Sequence, residues 1–202
     1  MQANILFDTS ANQKAIETLA GLRYEPDFLN SGYESAVLAQ LQTLQFHEFE
    51  FHGYLGKRRI VSFGWRYEYS GRGELKKAED IPDFLLGLRR RAASFAQLEP
   101  EALQQVLVTE YRPGAGIGWH RDKPVFDQVV GISLLAPCLL RFRRKAAASL
   151  NSGKVRNTWQ RVSLLAPRRS VYLLRGPARL DWEHSILRVD ELRYSITFRS
   201  LR

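Results

Sequence analysis

The stretch YRPGAGIGWHRDKP, residues 111–124, holds three glycines, two prolines, and a histidine and an aspartate two places apart, His120 and Asp122. Its reading decides the fold, because strand-like apolar runs lie on both sides of it. QVLVTEY (105–111) precedes it. DQVVGISLL (127–135), CLLRFRR (138–144), RVSLLAP (161–167), SVYLLRG (170–176), SILRV (185–189) and RYSITFRS (193–200) follow. Seven short strands separated by turn signals predict a sandwich or jelly roll. Residues 111–124 are then a crossing between two strands of that core.

Upstream the period changes. SGYESAVLAQLQTLQ (31–45) predicts a helix with a Ser31–Glu34 capping box and with Val37, Leu38, Leu41 and Leu44 on one face. DIPDFLLGLRRRAASFAQ (80–97) predicts a second helix, capped by Asp80 with Pro82 in its first turn, whose stripe is Ile81, Phe84, Leu85, Leu88, Ala92 and Phe95. Between them FGWRYEY (63–69) alternates, with Phe63, Trp65, Tyr67 and Tyr69 on one face. Helices first and strands later predict an α+β chain with a β core. No linker is long enough to divide it, so one domain is expected over residues 1–202, with a β core about 104–202. Residues 146–160 read as a polar hairpin inserted between two core strands.

Cys138 is the single cysteine, which excludes a disulfide framework and a cysteine zinc site and suggests a reducing compartment. No run of about 18 apolar residues is present, so no membrane span is expected. The N-terminus lacks the apolar core of a secretion signal. A cytoplasmic protein (nuclear if eukaryotic) and a monomer are the expectation. The net charge of +9 is unevenly placed: residues 139–202 carry 15 Lys and Arg against 4 Asp and Glu, whereas residues 1–138 carry 15 against 17. A one-sided basic field suits a polyanion or an anionic small molecule, and equally serves solubility.

Residues two apart in an extended segment point to the same side, so His120 and Asp122 would face one way and Arg121 the other. An imidazole and a carboxylate so placed can share a metal, and a third ligand would come from a neighbouring strand. His184, in LDWEHSILRV, qualifies. Two histidines and one carboxylate on one face of Fe(II) leave positions for a co-substrate and dioxygen. His47 and His52 are most simply surface or lid residues. In RYSITFRS, Arg193, Ser195, Thr197 and Arg199 share one face and Tyr194, Ile196 and Phe198 the other. Inside a jelly roll two such arginines would call for an anion, and a dicarboxylate fits their forked donors. On an edge strand they would simply face solvent.

Taken together, YRPGAGIGWHRD, ARLDWEHSI (178–186) and RYSITFR (193–199) resemble the AlkB family of Fe(II)- and 2-oxoglutarate-dependent dioxygenases, well over residues 100–202 and more loosely over GKRRIVSFGWRYEYSG (56–71). The resemblance implies a double-stranded β-helix with supporting N-terminal helices. It implies His120, Asp122 and His184 as iron ligands, and Arg193 with Tyr111 at the far carboxylate of 2-oxoglutarate. Arg199 would serve the carboxylate beside the keto group. Thr109 and Ser195 take places usually held by Asn. Dioxygen would be the oxidant: 2-oxoglutarate leaves as succinate and carbon dioxide, and a hydroxylated N-methyl group is lost as formaldehyde.

Residues 46–69 hold 8 of the 23 aromatics, interleaved with Lys57, Arg58, Arg59 and Arg66. Cations for phosphates and rings for an extruded base are what a base-flipping enzyme needs. Lid hairpins over about 46–75 are therefore expected, with Arg58, Arg59, Trp65, Arg66, Tyr67 and Arg121 meeting a DNA or RNA substrate. Lys154, Arg156 and Trp159 are further candidates. Two departures stand out. Pro124 replaces the acidic residue with which relatives read the base, and Ser185 replaces the glycine after the distal histidine. A protein side chain as substrate, or a non-catalytic nucleic-acid-binding module of the same fold, are the alternatives.

Overall fold

Period-two alternation carries the second half of the chain into two facing sheets. The structure, a computed structural model, describes residues 9–51, 54–68, 73–146, 149–151, 154–156 and 158–202. His52 and Tyr69 lie outside the described residues, as do the side chains of Lys154 and Arg156. In chain order the elements are α1 (Thr9–Thr18), β1 (Leu22–Glu25), α2 (Ser31–Leu41), β2 (His47–Phe51), β3 (Tyr54–Phe63), β4 (Trp65–Glu68), β5 (Glu74–Lys77) and α3 (Asp83–Ala96). There follow β6 (Leu103–Tyr111), β7 (Ile117–His120), β8 (Phe126–Leu134), β9 (Cys138–Lys145), β10 (Ser149–Asn151), β11 (Lys154–Arg156) and β12 (Trp159–Ala166). The chain closes with β13 (Val171–Leu174), α4 (Gly176–Leu180), β14 (Glu183–Ile186) and β15 (Arg193–Leu201).

The large sheet has the order β1-β13-β8-β15-β6-β3-β2, and the small one β12-β9-β14-β7. All of these pairings are antiparallel. From β6 onward the chain crosses between the two sheets in the manner of a jelly roll. The expected α+β architecture is present, and the insertion is the β10–β11 hairpin between β9 and β12.

β15 is the middle strand of the seven and is buried along almost its whole length. Tyr194, Ile196 and Phe198 face a core shared with Leu85 and Leu88 of α3 and Val37 and Leu41 of α2. Fully burying a leucine contributes about 1.5–3 kcal/mol, so these helices are held by their apolar stripes. The opposite face carries Arg193, Ser195, Thr197 and Arg199, all buried, between the two sheets. The edge-strand alternative for these arginines is therefore excluded. The free edge of β12 is covered by α1, where Asn12 both donates to the Leu165 carbonyl (2.9 Å) and accepts from the Leu165 amide (2.8 Å).

Three local expectations are corrected. The Ser31–Glu34 capping box is not formed. Asn30 caps α2 by accepting from the Tyr33 amide at 2.8 Å. Glu34 turns inward instead, fully buried, and accepts from the Leu135 amide (2.9 Å) and from Arg168 (2.7 Å), which ties the helix to the β core. Asp80 does not cap α3. Pro82 occupies the N-cap, and Asp80 stays exposed beside Lys77. Finally, residues 63–69 are not one strand. Gly64, at φ +73°, breaks them so that its amide meets the Glu79 carbonyl, and a Cβ there would lie 2.1 Å from the Gln104 carbonyl oxygen. Phe63 enters the core, while Trp65 and Tyr67 belong to the separate β4–β5 hairpin. Among the described residues no helix is long and apolar enough to cross a membrane.

Candidate active site

β7 and β14 pair so that His120 and His184 are direct cross-strand partners. Gly116 makes this approach possible: a Cβ there would lie 2.8 Å from the Ile186 carbonyl oxygen. The imidazole centroids are 4.2 Å apart. Asp122, two residues beyond His120, brings an oxygen 3.9 Å from His184 Nε2. One ligand atom from each of the three residues lies within 4.8 Å of the others. His120 Nδ1 donates to the Gly118 carbonyl at 2.9 Å, which fixes the tautomer and leaves Nε2 free to ligate.

The protonation states suit ligation at neutral pH. Burial, reinforced by the neighbouring His120, pushes the His184 pKa down to about 3, so its ring is neutral. Burial alone would raise Asp122, but Arg199 and the two imidazoles outweigh it and hold the carboxyl at about 2. Two imidazoles and one carboxylate on one side of a common point are the donor set of non-haem Fe(II).

Next to this cluster lies a second one, built for an anion. Arg193 is fully buried; its Nε donates to Ser133 Oγ at 3.2 Å, while Nη1 and Nη2 find no hydrogen-bond partner among the described residues. The Tyr111 ring lies 4.9 Å from that guanidinium, and Arg193 and Tyr111 are register partners. Burial raises the Tyr111 pKa, with Arg193 opposing it, so the phenol keeps its proton as a donor. Thr109 and Ser195, the next register pair on this face, are also buried. Arg199 donates to Gln105 Oε1 (2.9 Å) and reaches Asp122 (3.5 Å), and its Nε is unpaired. Unsatisfied buried guanidinium nitrogens next to a metal-ligand set fit a dicarboxylate spanning from the metal to Arg193.

The expected lid residues divide. Tyr67 lies beside the loop that follows Asp122: Lys123 places its ammonium 5.1 Å from the Tyr67 ring centroid. Arg58 is the register partner of Tyr111 on the other side of β6. Trp65 packs with Lys77 within the β4–β5 hairpin. Arg121 points outward as expected and donates to the Asp181 carbonyl at 3.2 Å. Arg59 does not project toward a substrate. It makes a bidentate pair with buried Glu110, at 2.8 and 2.9 Å. Arg66 is held by Glu68 at 2.7 Å.

Four residues escaped the sequence reading. Ser133 and Gln105 hold the two arginines. Tyr172, buried, has its phenol pKa raised by burial and lowered by Arg193, which places it by the anion cluster. Arg179 of α4, also buried, donates to the carbonyls of Lys123 (2.5 Å) and Phe126 (3.0 Å), and so straps down the loop that follows Asp122. The GPARLDWEH context offered a signal for it, a lone basic residue in a short apolar turn beside the distal histidine. Arg179→Ala is expected to weaken Mn²⁺ binding about 10- to 100-fold, the usual effect of losing a ligand's support, as read by calorimetric titration. Unchanged affinity would show that the strap does not position Asp122.

Comparison with known proteins agrees with this geometry. A family profile described as the 2OG-Fe(II) oxygenase superfamily matches residues 4–199. The "Alkylated DNA repair protein ALKBH8 homolog" of Arabidopsis thaliana is 28% identical over 200 residues, covering 91% of this chain and 56% of that protein. The "Probable RNA/DNA demethylase ALKBH6" of Danio rerio is 28% identical over 170 residues, covering 83% and 70%. The chain thus spans just over half the length of the first of these relatives. The solved structure of OsALKBH1 superimposes with a TM-score of 0.59 at 15% identity, covering 89% of this chain and 98% of that one, which supports the fold. The match along nearly the whole chain and the His-Asp-His cluster agree: the protein belongs to the 2OG-Fe(II) oxygenase superfamily, among its AlkB-like members, whose chemistry uses Fe(II), 2-oxoglutarate and dioxygen.

Proposed function

We propose that the protein is an oxidative demethylase of N-alkylated bases in DNA or RNA. The observation that carries this reading is the Tyr67 ring, held by Lys123 against the loop of the metal-ligating Asp122. An aromatic face at the mouth of an iron pocket is what receives an extruded base. The names of the Arabidopsis thaliana and Danio rerio relatives point the same way.

The geometry supports the following roles. His120, Asp122 and His184 would hold the iron. Arg193, with Tyr111, would take the distal carboxylate of 2-oxoglutarate, and Arg199 the carboxylate beside the keto group. Thr109 and Ser195 offer hydroxyls along the same wall. When bound, iron with 2-oxoglutarate would use dioxygen to convert an N-methyl group to a hydroxymethyl group, with 2-oxoglutarate leaving as succinate and carbon dioxide and the hydroxymethyl carbon as formaldehyde. The chain's own part is to orient. Arg199 keeps Asp122 ionised, the Gly118 carbonyl keeps the His120 proton on Nδ1, and the two sheets keep water from the buried guanidiniums.

A second reading keeps this chemistry but takes a protein side chain as substrate. Arg59 and Arg66, expected to grip phosphates, are engaged by Glu110 and Glu68, and Pro124 stands where relatives read the base. Succinate release measured with methylated single-stranded DNA, duplex DNA, RNA and protein separates the two. The demethylase reading expects stimulation by methylated nucleic acid with formaldehyde in equal amount. Stimulation by protein alone would overturn it.

A further inference from the structure

The basic excess of residues 139–202 is only partly accounted for by the pocket arginines. Four further cations of this segment lie on the outer face of the small sheet. His184, Phe142 and Val162 are in register across β14, β9 and β12 and face inward. Their neighbours face out: Arg141, Arg143 and Lys145 on β9, Arg161 on β12, Glu183 on β14 and Trp119 on β7. Lys145 and Arg161 are exposed, and Arg141, Arg143, Trp119 and Trp159 are partly exposed.

These side chains form an ordered row. Trp119 reaches across β14 and meets two guanidiniums, Arg141 at 4.9 Å and Arg143 at 4.4 Å from its ring centroid. Arg143 also lies 4.4 Å from the Trp159 centroid. The strand Trp119 crosses is occupied at that level by buried Ser185, whose hydroxyl accepts from Arg141 Nε at 3.1 Å. The small residue after His184 thus lets the ring pass and anchors the first arginine. The planes of Arg141 and Arg143 are held by stacking, which limits the side-chain entropy lost when their remaining N–H groups take a ligand.

The charges on this face are not balanced by the protein. Arg143 and Arg161 are direct cross-strand partners, and like charges directly opposite destabilise a sheet. Among the described residues Glu183, 2.6 Å from Arg143, is the acid paired with this row. Four cations set against one carboxylate, interleaved with two indoles, suit a ligand with repeated negative charge and flat rings.

We infer that the outer face of the small sheet is a second nucleic-acid contact, where the phosphate backbone of a single strand runs along Arg141, Arg143, Lys145 and Arg161, away from the iron pocket. It rests on the nucleic-acid reading above for its use, since it would hold a strand while one of its bases is presented to the pocket. Arg121, which points outward between two metal ligands, lies at the end of the face nearest that pocket.

The test is binding of a fluorescein-labelled, unmethylated single-stranded oligonucleotide to the full chain, by anisotropy, over a range of salt concentrations. Arg161→Glu with Lys145→Glu is the main variant, because both side chains are exposed. Arg161→Ala with Lys145→Ala serves where the charge reversal disturbs folding. The alanine pair is expected to weaken binding about tenfold or more and to flatten the log–log salt slope by about 0.7 for each phosphate that is no longer neutralised. Succinate release without substrate should stay at the wild-type rate, since neither residue touches the pocket. Wild-type affinity and salt slope in both variants would overturn the proposal, as would binding to anionic vesicles but not to the oligonucleotide. Loss of binding in the variants, with no methylated nucleic acid acting as substrate, would leave this surface standing and defeat the demethylase reading alone.

Discussion

Arg193→Met is expected to make the ligand-free protein more stable while abolishing its response to 2-oxoglutarate. Arg193 is fully buried, and its Nη1 and Nη2 lack hydrogen-bond partners among the described residues. Without a bound anion it is an uncompensated charge in a low-dielectric interior, held by one hydroxyl and one aromatic face. Replacing such buried ionic groups by an apolar side chain of similar length is typically neutral or stabilising by about 1–4 kcal/mol. For a chain of this size each kcal/mol moves Tm by roughly 2–4 °C. In the wild type, 2-oxoglutarate at 100 times its Kd should add about 2.7 kcal/mol of stability. In the variant that increment should vanish, because truncating one partner of a buried charge pair removes roughly 2–5 kcal/mol of binding, or about 30- to 4,000-fold in Kd. Thermal melts with and without 2-oxoglutarate read both effects. A variant that is less stable when ligand-free, yet still stabilised by 2-oxoglutarate, would show Arg193 to be a packing residue and not an anion receptor.

The same residue shows what was legible in the sequence. Alternation in RYSITFRS placed Arg193 and Arg199 on one face, and their burial followed once the strand was central. His120, Asp122 and His184 were legible because period two fixes which side a strand residue faces, and β7 and β14 are in direct register at His120 and His184. What failed depended on partners far along the chain. Glu34 looked like a helix cap, but its partner Arg168 is 134 residues away, and burial gave the carboxylate to that arginine. Arg59 looked like a phosphate grip, but β3 lies beside β6, and Glu110 is its register partner. Ser133 and Gln105 carry no local signature, since their roles come from arginines 60 and 94 residues on. Ser185, read as a departure from the family, proved to be the seat of the Arg141–Trp119 stack. Local patterns therefore specified strand faces, whereas helix caps and charge partners were decided by what the fold brings together.

Removing Asp122 and removing His120 are expected to be equivalent for metal binding and unequal for the ligand-free fold. Each deletes one of three ligands, so Asp122→Ala and His120→Ala should both weaken Mn²⁺ binding by more than about 100-fold, beyond what loss of a ligand's support alone produces. Asp122 has a second task. Its carboxylate lies 3.5 Å from Arg199 and is also attracted by Arg179, two buried guanidiniums that otherwise repel each other. Without it, Arg199 keeps the Gln105 side chain and the Phe126 ring, neither of which carries a counter-charge. Breaking a buried pair by removing one partner destabilises by about 3–5 kcal/mol, or a Tm lowered by roughly 10 °C. His120 contributes a hydrogen bond to a nearby carbonyl, so His120→Ala should change the ligand-free melt by about 1 kcal/mol or less. The pH dependence carries the same signature. The Asp122 pKa is lowered from 3.8 to about 2 in the folded chain, so the unfolded chain takes up the proton first as acid is added. The contribution of Asp122 is therefore complete above about pH 4 and fades as the pH falls through about 2. The stability gap between wild type and Asp122→Ala should narrow over that window. Equal melts for the two variants at neutral pH would mean that Asp122 serves the metal alone, and that the pocket tolerates its arginines without a counter-charge.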